Sequence, residues 1–159
     1  MHQPITDQEF EQLRAGFESG YKKIDQIRCP YFNEPVTFNA KGFEHIRFAR
    51  KNHARVREEQ ALRMRLFPLA AEILKLSKTI QGITHTQHFE IVRTNQRNET
   101  NMLPVSYFEF IAILNEKRVR VIVKQIDGGP KFFWSVIPFW KMDRMNGRRR
   151  MAYGNPETD

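Results

Sequence analysis

Cysteine occurs once in this chain of 159 residues, as Cys29. A single thiol excludes an internal disulfide and any multi-cysteine zinc site. No apolar run reaches the length of a membrane-spanning helix, and the N-terminus lacks the apolar core of a signal peptide. Cytoplasmic residence is therefore the default expectation, with delivery into a target-cell cytoplasm as the alternative. Acidic residues are also in short supply: 18 Asp and Glu stand against 26 Lys and Arg, for a formal net charge of +8. That imbalance favours a polyanionic partner such as RNA, DNA or an anionic membrane, although a plain solvated basic surface gives the same count. Hydrophobic residues make up 40% of the chain, which suits one compact domain with polar arms better than two packed domains.

What the chain does have is one strongly patterned hairpin. Arg118 to Ile126 and Lys131 to Trp140 are β-rich runs around an Asp127-Gly128-Gly129-Pro130 turn. Alternation puts Val119, Val121 and Val123 on one face and Arg120, Ile122 and Lys124 on the other. If the turn closes with Ile126 opposite Lys131, then Lys124 faces Phe133, Val123 faces Trp134, Ile122 faces Ser135 and Val121 faces Val136. One face is then apolar, with Trp134 in it, and the other is mixed. A strand over Val105 to Leu114 extends both faces if Phe110 pairs with Val121. Tyr107 then faces Lys124, Glu109 faces Ile122 and Ile111 faces Arg120.

Upstream, Thr6 and Glu9 form a capping-box pattern for a first helix that carries Phe10, Leu13 and Phe17 and ends at Gly20. Tyr21 to Pro35 reads as an irregular connection, and Val36 to Phe38 as a short edge strand. Asn39 caps a second helix whose stripe is Phe43, Ile46, Ala49, His53 and Val56, with His45 at its edge. Pro68 suits the first turn of a third helix, which runs towards Gly82. His85 to Thr94 is a strand, and Asn95 to Asn101 a polar loop. The expected architecture is α+β: about three helices packed on one face of a four-stranded antiparallel β-meander. Residues 1–35 form an N-terminal helix and connection, 36–140 the α+β domain, and 141–159 a mobile basic tail containing Arg148, Arg149 and Arg150.

The mixed face collects Tyr107, Glu109, Arg120, Lys124 and Ser135 on adjacent strands, where cross-strand neighbours lie about 5 Å apart and diagonals about 7 Å. A carboxylate, two cations and a hydroxyl suit metal-free RNA cleavage. A base takes the ribose 2′-OH proton, the oxygen attacks phosphorus, and cations hold the developing charge. The same residues also make an ordinary solvated ion-pair face. Histidine is the usual acid or base because its pKa range fits, and His45, at the edge of the stripe, is the better candidate. His53, on the stripe, also reads as a core histidine. His85 and His88 fall on opposite strand faces and make a poor metal pair, so neither metal nor cofactor is expected. The arginines of the second helix, Arg50 among them, form its solvated side or serve a phosphate backbone.

HIRFARKNH (His45 to His53), then RLFPLAAEIL (Arg65 to Leu74), then VIVKQIDGGPKFFWSV (Val121 to Val136) follow in an order that resembles phage and toxin nuclease domains of the barnase–EndoU–colicin–RelE superfamily. The resemblance implies helices against a four-stranded antiparallel sheet and RNA cleavage without metal. It places His45, Lys124 and Ser135 at the shared helix, strand and final-strand positions, with His53 as a second histidine. The reading that follows is a metal-independent endoribonuclease, from a toxin or a phage or mobile element. His45, with His53 in reserve, is acid or base, and Glu109 is the alternative base. Lys124, Arg120 and Ser135 hold the phosphate, and Tyr107 stacks on a base. Its partners are RNA and an acidic immunity protein or antitoxin, with no membrane. The rivals are a non-catalytic RNA-binding or ribosome-associated module, and an interaction domain whose basic face binds an acidic protein.

Overall fold

The computed structural model describes residues 3–139 and 154–159. Helix α1 (Asp7–Lys23) begins at the expected capping box: Thr6 accepts from the Glu9 amide, and the Glu9 carboxylate accepts from the Thr6 amide. It runs past Gly20 to bury Phe10, Phe17 and Tyr21. The stretch expected to be irregular instead supplies strand β1 (Gln26–Cys29), paired antiparallel with β2 (Glu34–Thr37). Helix α2 (Ala40–His45) is capped by the Asn39 side chain but stops after six residues. The stripe read as its continuation forms a small hairpin, β3 (Phe48–Arg50) and β4 (His53–Ala54), which turns at Asn52 with a left-handed φ of 62°. Helix α3 (Arg57–Leu76) follows. Pro68 lies inside α3 instead of starting it, and buried residues from Gln60 to Leu74 continue the same packed helix on both sides of it. Tertiary burial here outweighs the hydrogen bond a helical proline forgoes.

Four long strands follow: β5 (Gly82–Thr94), β6 (Arg97–Leu114), β7 (Lys117–Ile126) and β8 (Lys131–Pro138). The Asn95 to Asn101 stretch is not a loop. Asn95 and Gln96 alone make the turn, both with positive φ, and Asn115-Glu116 does the same before β7. Two-residue turns of this hand match the natural twist of a hairpin.

The architecture is mixed α/β, which corrects the expected four-stranded meander. Among the described residues there are three helices, a six-stranded sheet in the order β1-β2-β8-β7-β6-β5, and the two-stranded β3–β4. The β2–β8 pair, through Thr37 and Phe132, is parallel. Strands of four residues broken by Pro30 and Pro35 carry too little alternation to be read locally. They exist because β8 offers them an edge.

Helix α3 packs on β1, β6, β7 and β8, and α1 packs on α3. An aromatic cluster fills the space: Phe17, Tyr21, Phe38, Phe43, Phe67 and Phe133 meet edge-on or stacked at centroid distances of 5.2–6.2 Å. Such pairs contribute roughly 0.5–1.5 kcal/mol each beyond their burial.

The β6–β7 register is the one the alternation predicts, with Phe110 on Val121, Tyr107 on Lys124 and Ile111 on Arg120. The β7–β8 register departs from it. Val121 pairs with Val136 and Ile122 with Ser135, but Val123 pairs with Phe133 and Lys124 with Phe132. Trp134 is the extra residue of a bulge. Phe133 therefore joins the helix-side core, and Trp134 joins Val105, Tyr107, Ile122 and Phe132 on the opposite face.

Close approach of α2 to β8 depends on Gly42. A Cβ there would overlap the Phe133 carbonyl oxygen and lie 2.8 Å from the Tyr21 hydroxyl. In α1 a Cβ on Gly16 would meet nothing within 4 Å. We expect Gly42→Ala to cost about 1–3 kcal/mol of stability. Gly16→Ala should add roughly 0.5–1 kcal/mol through helix propensity. Urea unfolding of the two variants checks the contrast, and equal effects would contradict this packing.

Candidate active site

The sheet face away from α1 carries the chemistry. Strand β7 supplies Arg120 and Lys124, β6 supplies Tyr107 and Glu109, and β8 supplies Ser135 and, through the bulge, Trp134. Three further elements converge on this face. His45 ends α2, Arg63 lies on α3, and Arg55 lies between β4 and α3. The segment Gly154–Asp159 closes over them. That tail was expected to be a mobile arm. Its last six residues are docked, and Arg148 to Arg150 lie outside the described residues.

Arg63 is fully buried and is the hub. It donates through Nη2 to Glu59 (2.9 Å), and through Nη1 to the Ser135 hydroxyl (2.6 Å) and the Asp159 main-chain oxygen. Ser135 in turn donates to that same oxygen (2.8 Å). Arg120 donates to the Asp159 carboxylate at 3.3 Å and is ion-paired with Glu109. The Lys124 ammonium lies 2.6 Å from Glu90 and 2.8 Å from Glu157, and 4.2 Å from the Trp134 ring centroid. The Tyr107 hydroxyl also donates to Glu157. Burial above all, with Glu157 beside it, raises the Tyr107 pKa and keeps the phenol protonated. Burial lowers the Arg63 pKa to about 10, aided by the neighbouring Arg55 and opposed by Glu59 and Asp159, so the guanidinium stays charged at neutral pH.

His45 is buried and stacks on Trp134, with ring centroids 3.9 Å apart. Arg55 donates to its main-chain oxygen and its Nε2, both at 3.0 Å. A guanidinium can only donate, so Nε2 is the acceptor and the proton sits on Nδ1. Burial first, then Arg55, Arg63 and Lys124, hold the His45 pKa well below the usual histidine range. His45 is therefore a neutral imidazole.

Of the residues singled out from sequence, His45, Tyr107, Glu109, Arg120, Lys124 and Ser135 do share this face. His53 does not: it is exposed on β4, because the helix expected to carry it ends at His45. Arg50 is likewise on β3 and exposed, at the rim of a cleft of about 1030 Å³ that also reaches His45, Lys124 and Trp134. Sequence reasoning placed Arg55 and Arg63 only among the arginines of the second helix, read Trp134 as core, and missed Glu90, Glu157 and Asp159. His88-Phe89-Glu90 held a signal, since alternation puts His88 and Glu90 on one strand face. With Glu157 these two form a three-donor cluster within 4.8 Å. The Lys124 ammonium already sits against both carboxylates, so their charge is met from within the chain. Arg63 gave no signal, because an arginine in a helix is normally a solvated residue.

Comparison of the chain with protein-family models, with curated proteins and with solved structures finds no match.

The depressed pKa of His45 has a measurable consequence. Unfolded histidine takes up a proton below about pH 6.5, while folded His45 does not until the pH is lower. The unfolded state then binds more protons, so this contribution to stability is complete above about pH 6.5 and is lost as pH falls below it. The slope is up to ~1.4 kcal/mol per pH unit. Stability measured between pH 8 and pH 5 should fall less steeply in His45→Gln than in the unaltered chain. Parallel curves would mean that His45 titrates normally.

Proposed function

We propose that this chain is a metal-independent endoribonuclease whose phosphate site is the face built by Arg63, Arg120, Lys124 and Ser135. The observation that carries the reading is convergence. Four donors from three elements point at the oxygens of one docked acidic segment. Those carboxylate and carbonyl oxygens stand in for the non-bridging oxygens of a phosphodiester. Guanidinium, ammonium and hydroxyl groups fixed in a water-poor site are what the pentacoordinate phosphorane needs, because they require no reorganisation as its charge develops.

In the proposed reaction the neutral His45 takes the ribose 2′-OH proton through Nε2, which Arg55 now holds. The 2′-oxygen bonds to phosphorus, and the bond from phosphorus to the 5′-oxygen breaks. The leaving 5′-oxygen takes its proton from water and the His45 imidazolium returns its own to solvent, so a 2′,3′-cyclic phosphate and a 5′-hydroxyl result. Neutral His45 enters as base rather than acid. Glu109, paired with Arg120, is the alternative base and orients that guanidinium. Lys124 faces the developing charge. Base stacking on Tyr107, expected from the sequence, finds no open ring face here: Tyr107 is 1% exposed, and the Trp134 indole lies against His45 and Lys124.

A second reading has its own observation. The buried, Arg55-bound imidazole is not free to move a proton, which favours an RNA-binding module without catalysis. Cleavage of RNA in EDTA separates the two. Ser135→Ala, which removes one donor, should slow cleavage about 10²–10³-fold, and Lys124→Ala similarly. His45→Ala should slow it roughly 10²–10⁴-fold. Each variant is first shown to be folded by circular dichroism. Product ends should be 2′,3′-cyclic phosphates. Binding without cleavage, both by the unaltered chain and by a variant with Glu157 and Asp159 neutralised, supports the second reading. Equal cleavage of DNA would end the first.

A further inference from the structure

We infer that Gly154–Asp159 is an acidic plug that occupies the phosphate site and that RNA displaces; the inference rests on reading that site as phosphate-binding. The segment takes up every donor the substrate would need. Arg63 and Ser135 are on the Asp159 main-chain oxygen, Arg120 on its carboxylate, Lys124 and Tyr107 on Glu157, and Arg55 on the Thr158 oxygen. With it in place Arg63, Lys124 and Ser135 are 0%, 1% and 0% exposed, so no phosphate oxygen can reach them.

The way the segment is held fits exchange. It is fastened by polar contacts to charged groups rather than by a buried apolar side chain, and Gly154 and Asn155 are exposed. It is folded on itself, with Asn155 accepting from the amides of Glu157, Thr158 and Asp159 at 2.9–3.1 Å, so it can leave as a unit. Trp134 adds a reporter: its indole N–H donates to the Pro156 and Glu157 oxygens at 3.0 and 3.3 Å. Charge agrees. Among the described residues Arg55, Arg63, Arg120 and Lys124 meet Glu59, Glu90 and Glu109 from the body of the domain. Once Glu157 and Asp159 depart, one positive charge is uncompensated, which a single phosphodiester matches. The open cleft beside the segment gives the incoming strand an approach.

The test uses the full chain and a 2′-O-methyl oligoribonucleotide, which binds but cannot be cleaved at the 2′-oxygen. E157Q/D159N keeps the segment's shape and removes its charge. The double variant should bind the oligonucleotide roughly 5- to 150-fold more tightly at the same salt. In the unaltered chain, saturation with oligonucleotide should shift the Trp134 indole N–H resonance as its two carbonyl partners leave. Unchanged or weaker binding by a folded double variant overturns the plug, and marks the segment as part of the site. An unmoved Trp134 resonance at saturation overturns it as well, and decides alone if the double variant does not fold. Failure of both chains to bind removes the phosphate reading and the plug together. Tighter binding by the variant with no cleavage of unmethylated RNA leaves the plug standing and removes only the nuclease.

Discussion

A guanidinium taken wholly out of water costs several kcal/mol unless its donors are met by well-placed acceptors. Arg63 is taken wholly out of water. Around it Arg55, Arg120 and Lys124 are nearly as buried, so the sheet face opposite α1 concentrates positive charge where the solvent cannot screen it. Everything else on that face follows from neutralising it. Glu59 spans Arg55 and Arg63, Glu109 holds Arg120, Glu90 holds Lys124, and the 154–159 segment supplies the remaining acceptors. No polar side-chain atom buried among the described residues is left without a hydrogen-bond partner. Stability alone gives little reason for such an arrangement, because apolar residues of similar volume are often as stable. Anion recognition does, and that is why the face is read as a site.

The aromatic core on the other side of the sheet makes the site rigid. Gly42 lets α2 lie against the Phe133 backbone, and α2 ends at His45, so the packing of Phe17, Tyr21, Phe67 and Phe133 fixes where the imidazole stands. The bulge at Trp134 connects the two faces. By inserting one residue between the Val123–Phe133 and Ile122–Ser135 pairs, it keeps Phe133 in the core and puts both Trp134 and Ser135 on the charged side. A regular hairpin could place only one of the latter two there.

Much of this was legible where periodicity is strong and local. The alternation of β6 and β7 gave their register residue by residue, which is why Tyr107, Glu109, Arg120 and Lys124 were grouped correctly. The Thr6 and Asn39 caps were readable because capping needs only near neighbours. Other features depend on contacts far along the chain. The strands β1 and β2 are too short to show a pattern and form only against β8. The β3–β4 hairpin mimics a helical stripe until Asn52 turns it, and this misplaced His53 and Arg50. The bulge shifts one residue without changing composition, so the first pairs after the turn slipped. Arg63 and Asp159 meet across 96 residues, and nothing in either neighbourhood announces the other.

The central claim is that one phosphate and the acidic segment compete for the same donors. A crystal structure of the chain with a non-cleavable dinucleotide tests it most directly. The account predicts the phosphate between Arg63, Arg120 and Ser135, with Asp159 expelled and Trp134 no longer bound to the Pro156 and Glu157 oxygens. A phosphate bound elsewhere, with Asp159 still accepting from Arg63 and Ser135, would contradict it.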